Sequence, residues 1–309
     1  MCIRDSSYYA GMFGYADDIL LICPSRTGLQ EMLELAEDYA TSHNIAFSTD
    51  PNPKKSKTKG IIFKEGKKKI NPEKIKLCGN PLPWIDGAKY LGNYLTDEIN
   101  GLNEDVKQKR AKYIERNCEI IQEFYFAHPE VKTKINRIYN TSYTGSVLWD
   151  LGSENVRKLI NSWSVSVRLM WNLPRQAHTE LIEPLSGTHA KTMLYSRYVQ
   201  FIQSIQKSSK SAAHFLLELI RNNKETVTGK NIDIILRETD ENDIMTIKAK
   251  QLKSKMVFKE LPVENKWKID IIKELTNVKQ NILMIEFTDE NENLTRKEMQ
   301  AMIALAATV

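Results

Sequence analysis

Two adjacent acids, Asp17 and Asp18, stand between two apolar, β-prone runs. Tyr8-Tyr9-Ala10-Gly11-Met12-Phe13-Gly14-Tyr15-Ala16 precedes them, and Ile19-Leu20-Leu21-Ile22-Cys23 follows. A central strand through this stretch would bury one carboxylate at high cost. A hairpin avoids that cost, because both acids then project from one end of the ribbon. The pattern therefore predicts an antiparallel hairpin, Tyr8–Tyr15 against Ile19–Cys23, with Asp17 and Asp18 at its turn. Like charges this close repel unless a cation intervenes. Mg²⁺ or Mn²⁺ fits, since both take hard carboxylate oxygens. The same two acids also suit a plain surface turn.

The length of 309 residues allows two domains. With 41% hydrophobic and 27% charged residues, the composition is that of an ordinary globular protein. No apolar run approaches a membrane span, and the early charges Arg4, Asp5 and Asp17 interrupt any signal-peptide core. Cys2, Cys23, Cys78 and Cys118 are scattered, with no Cys-x-x-Cys pair to hold zinc or frame disulfides. A reducing, intracellular setting, cytoplasmic or nuclear, follows as the expectation. The net charge of +5 is unevenly placed. From Asn52 to Cys78, ten lysines face two glutamates. Such a block suits contact with phosphates, and equally a solvated loop.

Met1 to Ser7 shows no helix start or strand pattern. It resembles a translated sequencing-adapter scar and reads as an artefactual or disordered start. Ser25 to His43 has helical spacing at Leu29, Met32, Leu33, Ala36, Tyr39 and Ala40, with Thr27 and Gln30 as a capping box. Ile45–Ser48 reads as a strand. The prolines Pro51 and Pro53 then force a loop through Lys59, and Gly60–Phe63 is a strand again. Ile75–Gly79 and Leu82–Ile85 follow as strands. Asp86-Gly87 is the expected hairpin turn, with Ala88–Leu95 returning.

On these residues the chain resembles the palm core of reverse transcriptases. It looks most like the polymerases of LINE-type (non-LTR) retrotransposons. The likeness rests on Tyr15-Ala16-Asp17-Asp18 with its apolar strand, on Phe47-Ser48-Thr49-Asp50-Pro51-Asn52-Pro53 with Lys55-Ser56-Lys57-Thr58-Lys59, and on Tyr90-Leu91-Gly92. It runs from about Tyr8 to Ile205 and is firmest to Leu95. The resemblance implies an RNA-directed DNA polymerase, a nucleotidyltransferase acting on an RNA template, a DNA primer and deoxynucleoside triphosphates. It implies Asp17 and Asp18 as catalytic Mg²⁺ ligands and Tyr15 under the nucleotide or primer end. It puts Lys55 near the incoming phosphates, with Asn52 and Ser56 shaping the loop, and Tyr90, Leu91 and Gly92 in the primer-gripping hairpin. An ammonium there would stabilise a leaving pyrophosphate or donate a proton. The alternative for Lys55 is a solvated loop lysine.

Beyond Asn103 the pattern is helical: Asn103–Phe126 with basic Lys107, Lys109, Arg110, Lys112 and Arg116, then Val131–Trp149 and Ser153–Trp171. The resemblance makes these a thumb whose basic face meets duplex phosphates; a merely solvated face is the alternative. Trp149, Trp163 and Trp171 read as core anchors. Thr179–Gly187 resembles the linker after the thumb. Further helices are predicted at Thr188–Gln206, Ser209–Asn223, Asp240–Lys259, Asn265–Thr276 and Thr295–Ala307, and the pattern weakens past Val227.

The expected class is α+β: a truncated reverse-transcriptase palm of β-hairpins plus a helix at 8–100, an all-α thumb at 101–175, and a helical C-terminal region at 176–309. Polymerase chemistry needs a third carboxylate and fingers from earlier in the chain. The expectation is thus a fragment, inactive alone, whose missing partners are the N-terminal palm and fingers, and an endonuclease, of the same protein. A group II intron maturase-like polymerase and a non-enzymatic nucleic-acid-binding remnant are the competing readings.

Overall fold

The computed structural model describes residues 11–50, 52, 54–63, 73–97, 102–178, 181–207, 214, 217–218, 221, 223–252, 267–284 and 300–305. The architecture mixes helices with small sheets and is coarsely α+β. The chain divides into two compact units, Met1–Asp105 with Lys210–Leu216, and Val106–Ser209 with Leu217–Val309. Residues on both sides of position 175 belong to the second unit.

In the first unit, β1 (Met12–Tyr15) and β2 (Asp18–Leu21) pair antiparallel. The predicted strand residues Tyr8–Ala10 lie outside the described residues. Helix α1 (Arg26–Ser42) follows, capped by Ser25, whose hydroxyl accepts from the Gly28 amide at 3.1 Å. The cap is therefore Ser25 and not Thr27. Gln30 is no capping-box partner either. Its carboxamide accepts from the Lys76 amide at 2.9 Å and donates to the Lys76 carbonyl at 3.1 Å. Arg26 reaches the Lys74 carbonyl at 3.2 Å, and Glu37 accepts from the Cys78 amide at 2.9 Å. Positions 26, 30 and 37 share one helix face, so α1 carries a polar seam that grips 74–78. Beside that seam, Leu33 packs with Ile75, Leu77 and Leu82, and Leu21, Leu29, Phe47 and Trp84 close around them.

Two further two-stranded sheets complete this unit: β3 (Lys76–Leu77) with β4 (Asn80–Pro81), and β5 (Gly87–Tyr90) with β6 (Asn93–Thr96). The turns are Cys78-Gly79 and Leu91-Gly92, each with positive φ at both residues. That is the backbone a two-residue hairpin prefers. Asp86-Gly87 is therefore not the hairpin turn, and Ala88–Leu95 is not one strand but a hairpin broken at Leu91. Ile45–Ser48 is irregular rather than a strand, and of Gly60–Phe63 only Gly60 bridges, to Trp84. A Cβ on Gly60 would fall 2.6 Å from the Trp84 ring, so this bridge requires glycine. Among the described residues the strands do not join into one larger sheet.

The second unit is helical: α2 (Leu102–Glu123, whose first turn belongs to the other unit), α3 (Pro129–Tyr139), α4 (Glu154–Met170), α5 (Ile182–Ser186), α6 (Ala190–Lys207), α7 (Val227–Thr239) and α8 (Trp267–Met284). Trp149, Trp163 and Trp171 are fully enclosed, with Tyr113, Leu159 and Met170 beside them in the core. The helix expected through Trp149 stops at Tyr139. Asn140 ends it, and Gly145, at positive φ, starts a short 3-10 turn over Ser146–Leu148. Helix α3 is inverted relative to the usual pattern. Thr133 and Asn136 face inward, where Thr133 accepts from the Trp171 indole at 3.2 Å and Asn136 donates to the Tyr113 hydroxyl at 3.0 Å. Val131, Ile138 and Tyr139 face out.

Helix α7 was not anticipated, and the helix expected over Asp240–Lys259 does not start at Asp240: among the described residues only a short 3-10 turn at Ala249–Gln251 forms there, and 253–259 lie outside them. Asp240, at φ 53°, caps α7, and 241–248 is irregular. The expected segment Ser209–Asn223 and the Thr295 capping box lie almost wholly outside the described residues, while 300–305 is helical. On α7, buried Asn231 donates to the Trp149 carbonyl at 2.7 Å and accepts from the Leu151 amide at 2.8 Å. Asn231→Ala leaves both groups buried without partners. It is expected to lower stability by about 3 kcal/mol, read as a shift of the urea midpoint.

Candidate functional site

The Asp-Asp hairpin forms as a two-residue turn. Tyr15 pairs with Asp18, leaving Ala16 and Asp17 between them. Asp17 thus sits in the turn, while Asp18 opens β2. Ala16 carries φ 53°, at a position that ordinarily takes Gly. The ladder runs on beyond the strands through the Ile22 amide to the Gly11 carbonyl at 2.7 Å. Side chains alternate between faces along a strand. Leu21 packs on the core, so Ile19 shares its side, and Asp18 and Leu20 share the other. Pairing places Tyr15 across from Asp18 and Phe13 across from Leu20. One face of the hairpin therefore carries two aromatics and a carboxylate, and it is open: Tyr15 is 67% exposed and Phe13 48%. Phe13 was not singled out from sequence, although strict alternation from Tyr15 would have found it.

Asp17 and Asp18 are both exposed. Adjacent hard-oxygen donors in water suit a Mg²⁺ or Mn²⁺ ion that keeps most of its own waters. Among the described residues no cluster of three or more Asp, Glu, His or Cys forms a metal site. The pair thus offers part of a coordination shell.

The loop predicted around Lys55 is built on local hydrogen bonds. The Asp50 carboxylate accepts from the Asn52 amide at 2.7 Å, and the Asn52 side chain accepts from the Lys54 amide at 3.0 Å. The Asn52 carbonyl accepts from the amides of both Lys55 and Ser56 at 3.0 Å. Ser56 is buried and donates to the Thr58 carbonyl. Asn52 and Ser56 therefore shape this loop, and Lys55 stands exposed on it. Phe47 before the loop and Leu21 after the Asp-Asp turn pack on the same core cluster. Lys55 makes no ion pair with Asp17 or Asp18. The described lysines of the basic block, Lys54, Lys55, Lys57, Lys59, Lys74 and Lys76, are all exposed.

Tyr90 closes β5, and Leu91-Gly92 is the tip of the β5–β6 hairpin. The hairpin is held at its base by the Asp97 amide donating to the Asp86 carbonyl at 2.8 Å, and from the side by Asp105, which accepts from the Tyr94 amide at 3.0 Å.

The basic residues of α2 divide into two groups. Lys109 donates to the Thr144 carbonyl and lies 5.7 Å from the Trp149 ring centre. Arg110 donates to the Ser162 hydroxyl at 2.9 Å. These two cations hold the helix in its unit, so they do not belong to an open basic face. Lys107, Lys112 and Arg116 are exposed. Helical periodicity alone could not separate the groups, because both lie at the margin of the apolar stripe.

No helix among the described residues is long and apolar enough to cross a membrane. Comparison with protein families, curated proteins and solved structures finds no match.

Leu91 at φ 45° bears a backbone strain that Asn tolerates better. Leu91→Asn is expected to raise stability by about 1 kcal/mol in urea unfolding, since the half-open Leu91 side chain contributes little packing.

Proposed function

We propose that this chain is part of an RNA-directed DNA polymerase of the LINE retrotransposon type, with Asp17 and Asp18 as its metal-binding carboxylates. The observation that carries the reading is the hairpin. It presents Asp17 in a tight turn and Asp18 beside Tyr15 on one open face. In this reading the open face receives the primer end and nucleotide, with Tyr15 and Phe13 beneath them. Bound metal supplies charge neutralisation for in-line phosphoryl transfer. Lys55 provides a cation on a hydrogen-bonded loop, and the exposed lysines around it attract the phosphate backbone. The Tyr90-Leu91-Gly92 hairpin tip supports the primer. A third carboxylate comes from outside the described residues.

Two carboxylates alone hold Mg²⁺ weakly, because the ion resists losing its waters. The chain by itself is therefore expected to give no primer extension on an RNA template with Mg²⁺ and deoxynucleotides. Joined to a fingers-and-palm segment that carries the third acid, it is expected to extend the primer, and Asp17→Asn should abolish that extension. Extension that survives Asp17→Asn rejects the assignment.

The second reading is a non-enzymatic nucleic-acid-binding domain. It is favoured by the isolation of the Asp17-Asp18 pair from other metal-ligating groups among the described residues. Both readings share a basic surface, and α2 tests it. Lys112→Ala with Arg116→Ala should reduce the salt dependence of duplex binding by about 2 in slope, one for each phosphate no longer neutralised. Lys109→Ala with Arg110→Ala should instead lower the melting temperature. An unchanged slope in the first pair shows that this face of α2 is merely solvated.

A further inference from the structure

An open cleft of about 450 Å³ lies between the segment 142–147 and helix α6. Its lining includes Tyr143, Ser146 and Val147 from the segment, and Arg197 and Phe201 from the helix. Three polar atoms of these side chains are closed off from water and have no hydrogen-bond partner: the Tyr143 hydroxyl, Ser146 Oγ and Arg197 Nη1. Buried polar groups are nearly always paired, so three orphans around one cleft call for an explanation. All three can donate a hydrogen bond. Arg197 uses Nη2 to donate to the Thr141 carbonyl at 2.7 Å and rests its guanidinium 5.9 Å from the Tyr143 ring centre. Among the described residues it has no carboxylate partner, and no Asp or Glu lines the cleft. Burial lowers the Arg197 pKa, the mark of a cation held out of water without a counter-charge.

A second basic cleft provides the contrast. There Lys224 and Arg237 close on Asp233 at 3.1 and 3.0 Å, and Asp150 lines the same cleft, so carboxylates stand among its cations. Of the two, only the Arg197 cleft sets a cation and hydroxyl donors in a lining without a carboxylate.

We propose that the Arg197 cleft is a binding site for a phosphate group. Arg197 supplies the charge and one N–H, Ser146 and Tyr143 supply hydroxyl donors, and because all three atoms are closed off from water the side chains turn toward the cleft as the ligand enters. Phosphate suits this set because it accepts hydrogen bonds from several directions at once. Val147 and Phe201 give an apolar wall for whatever carries the phosphate. The site lies within the helical unit and does not depend on the metal reading of Asp17 and Asp18.

The test is titration of the intact chain with inorganic phosphate against chloride at matched ionic strength, followed by calorimetry and thermal melting. Saturable binding with a rise in melting temperature is expected for phosphate only. Arg197→Gln should weaken it at least about tenfold, as expected for loss of a charge-assisted bond. Ser146→Ala should weaken it several-fold while leaving the unliganded melting temperature unchanged or higher, because it deletes a buried hydroxyl that has no partner. If Arg197→Gln does not fold, Ser146→Ala decides alone. Competition by an oligonucleotide without terminal phosphates identifies backbone diesters as the source; competition by a mononucleotide only identifies a small phosphate ester. No saturable phosphate effect, or full binding in folded Ser146→Ala and Arg197→Gln, overturns the proposal.

Discussion

A single side-chain amide, that of Asn231, satisfies both backbone groups of the segment between Trp149 and Leu151. That segment is irregular, with Trp149 and Leu151 buried, and belongs to no strand. A helix side chain therefore takes the place of a neighbouring strand, and it fixes where α7 sits against the tryptophan core. Gln30 does the same in the first unit for Lys76. The recurrence has one physical cause. Both units place short non-helical stretches against helices, and each backbone N–H and C=O removed from water must find a partner. Where sheets are only two strands wide, helix side chains supply those partners. Removing the Asn231 carboxamide leaves two buried groups unpaired, so the loss exceeds that of an exposed pair such as Gln30 makes with Lys76.

This helps explain which features could be read from sequence. Helices α1 and α4 were legible because their apolar spacing is strong, although the cap of α1 was misplaced, Ser25 rather than Thr27 filling it. The Asp-Asp hairpin was legible as well, since burying either acid in a strand costs more than turning the chain. The β5–β6 turn was not. Asp86-Gly87 carries the usual hairpin wording, yet the chain turns at Leu91-Gly92, where the leucine takes a positive φ that its residue type rarely adopts. Helix α7 was missed because its buried face includes Gly229, Asn231 and Thr239 beside Ile232 and Ile235. A polar residue inside a core dilutes the periodicity on which such readings depend.

The candidate site shows the same division. Asn52 and Ser56 were singled out through the resemblance, and their loop-shaping bonds are short-range, since Asn and Ser side chains bind nearby backbone. Roles that depend on distant partners escaped. Lys109 and Arg110 look like part of a basic stripe, but their partners, Thr144 and Ser162, lie 35 and 52 residues away. The cleft at Arg197 combines residues from 142 to 204 in the chain, and no short motif announces it.

Helix α3 turns polar Thr133 and Asn136 inward and leaves Val131, Ile138 and Tyr139 outward. Its attachment to the bundle thus relies on directional hydrogen bonds more than on apolar burial. Orientation and colloidal behaviour are separable on such a helix. Polar replacements on the outer side leave the bonded side untouched, and they remove the surface through which copies of the protein would adhere at high concentration. This helix is accordingly the place where solubility can be engineered without disturbing the core.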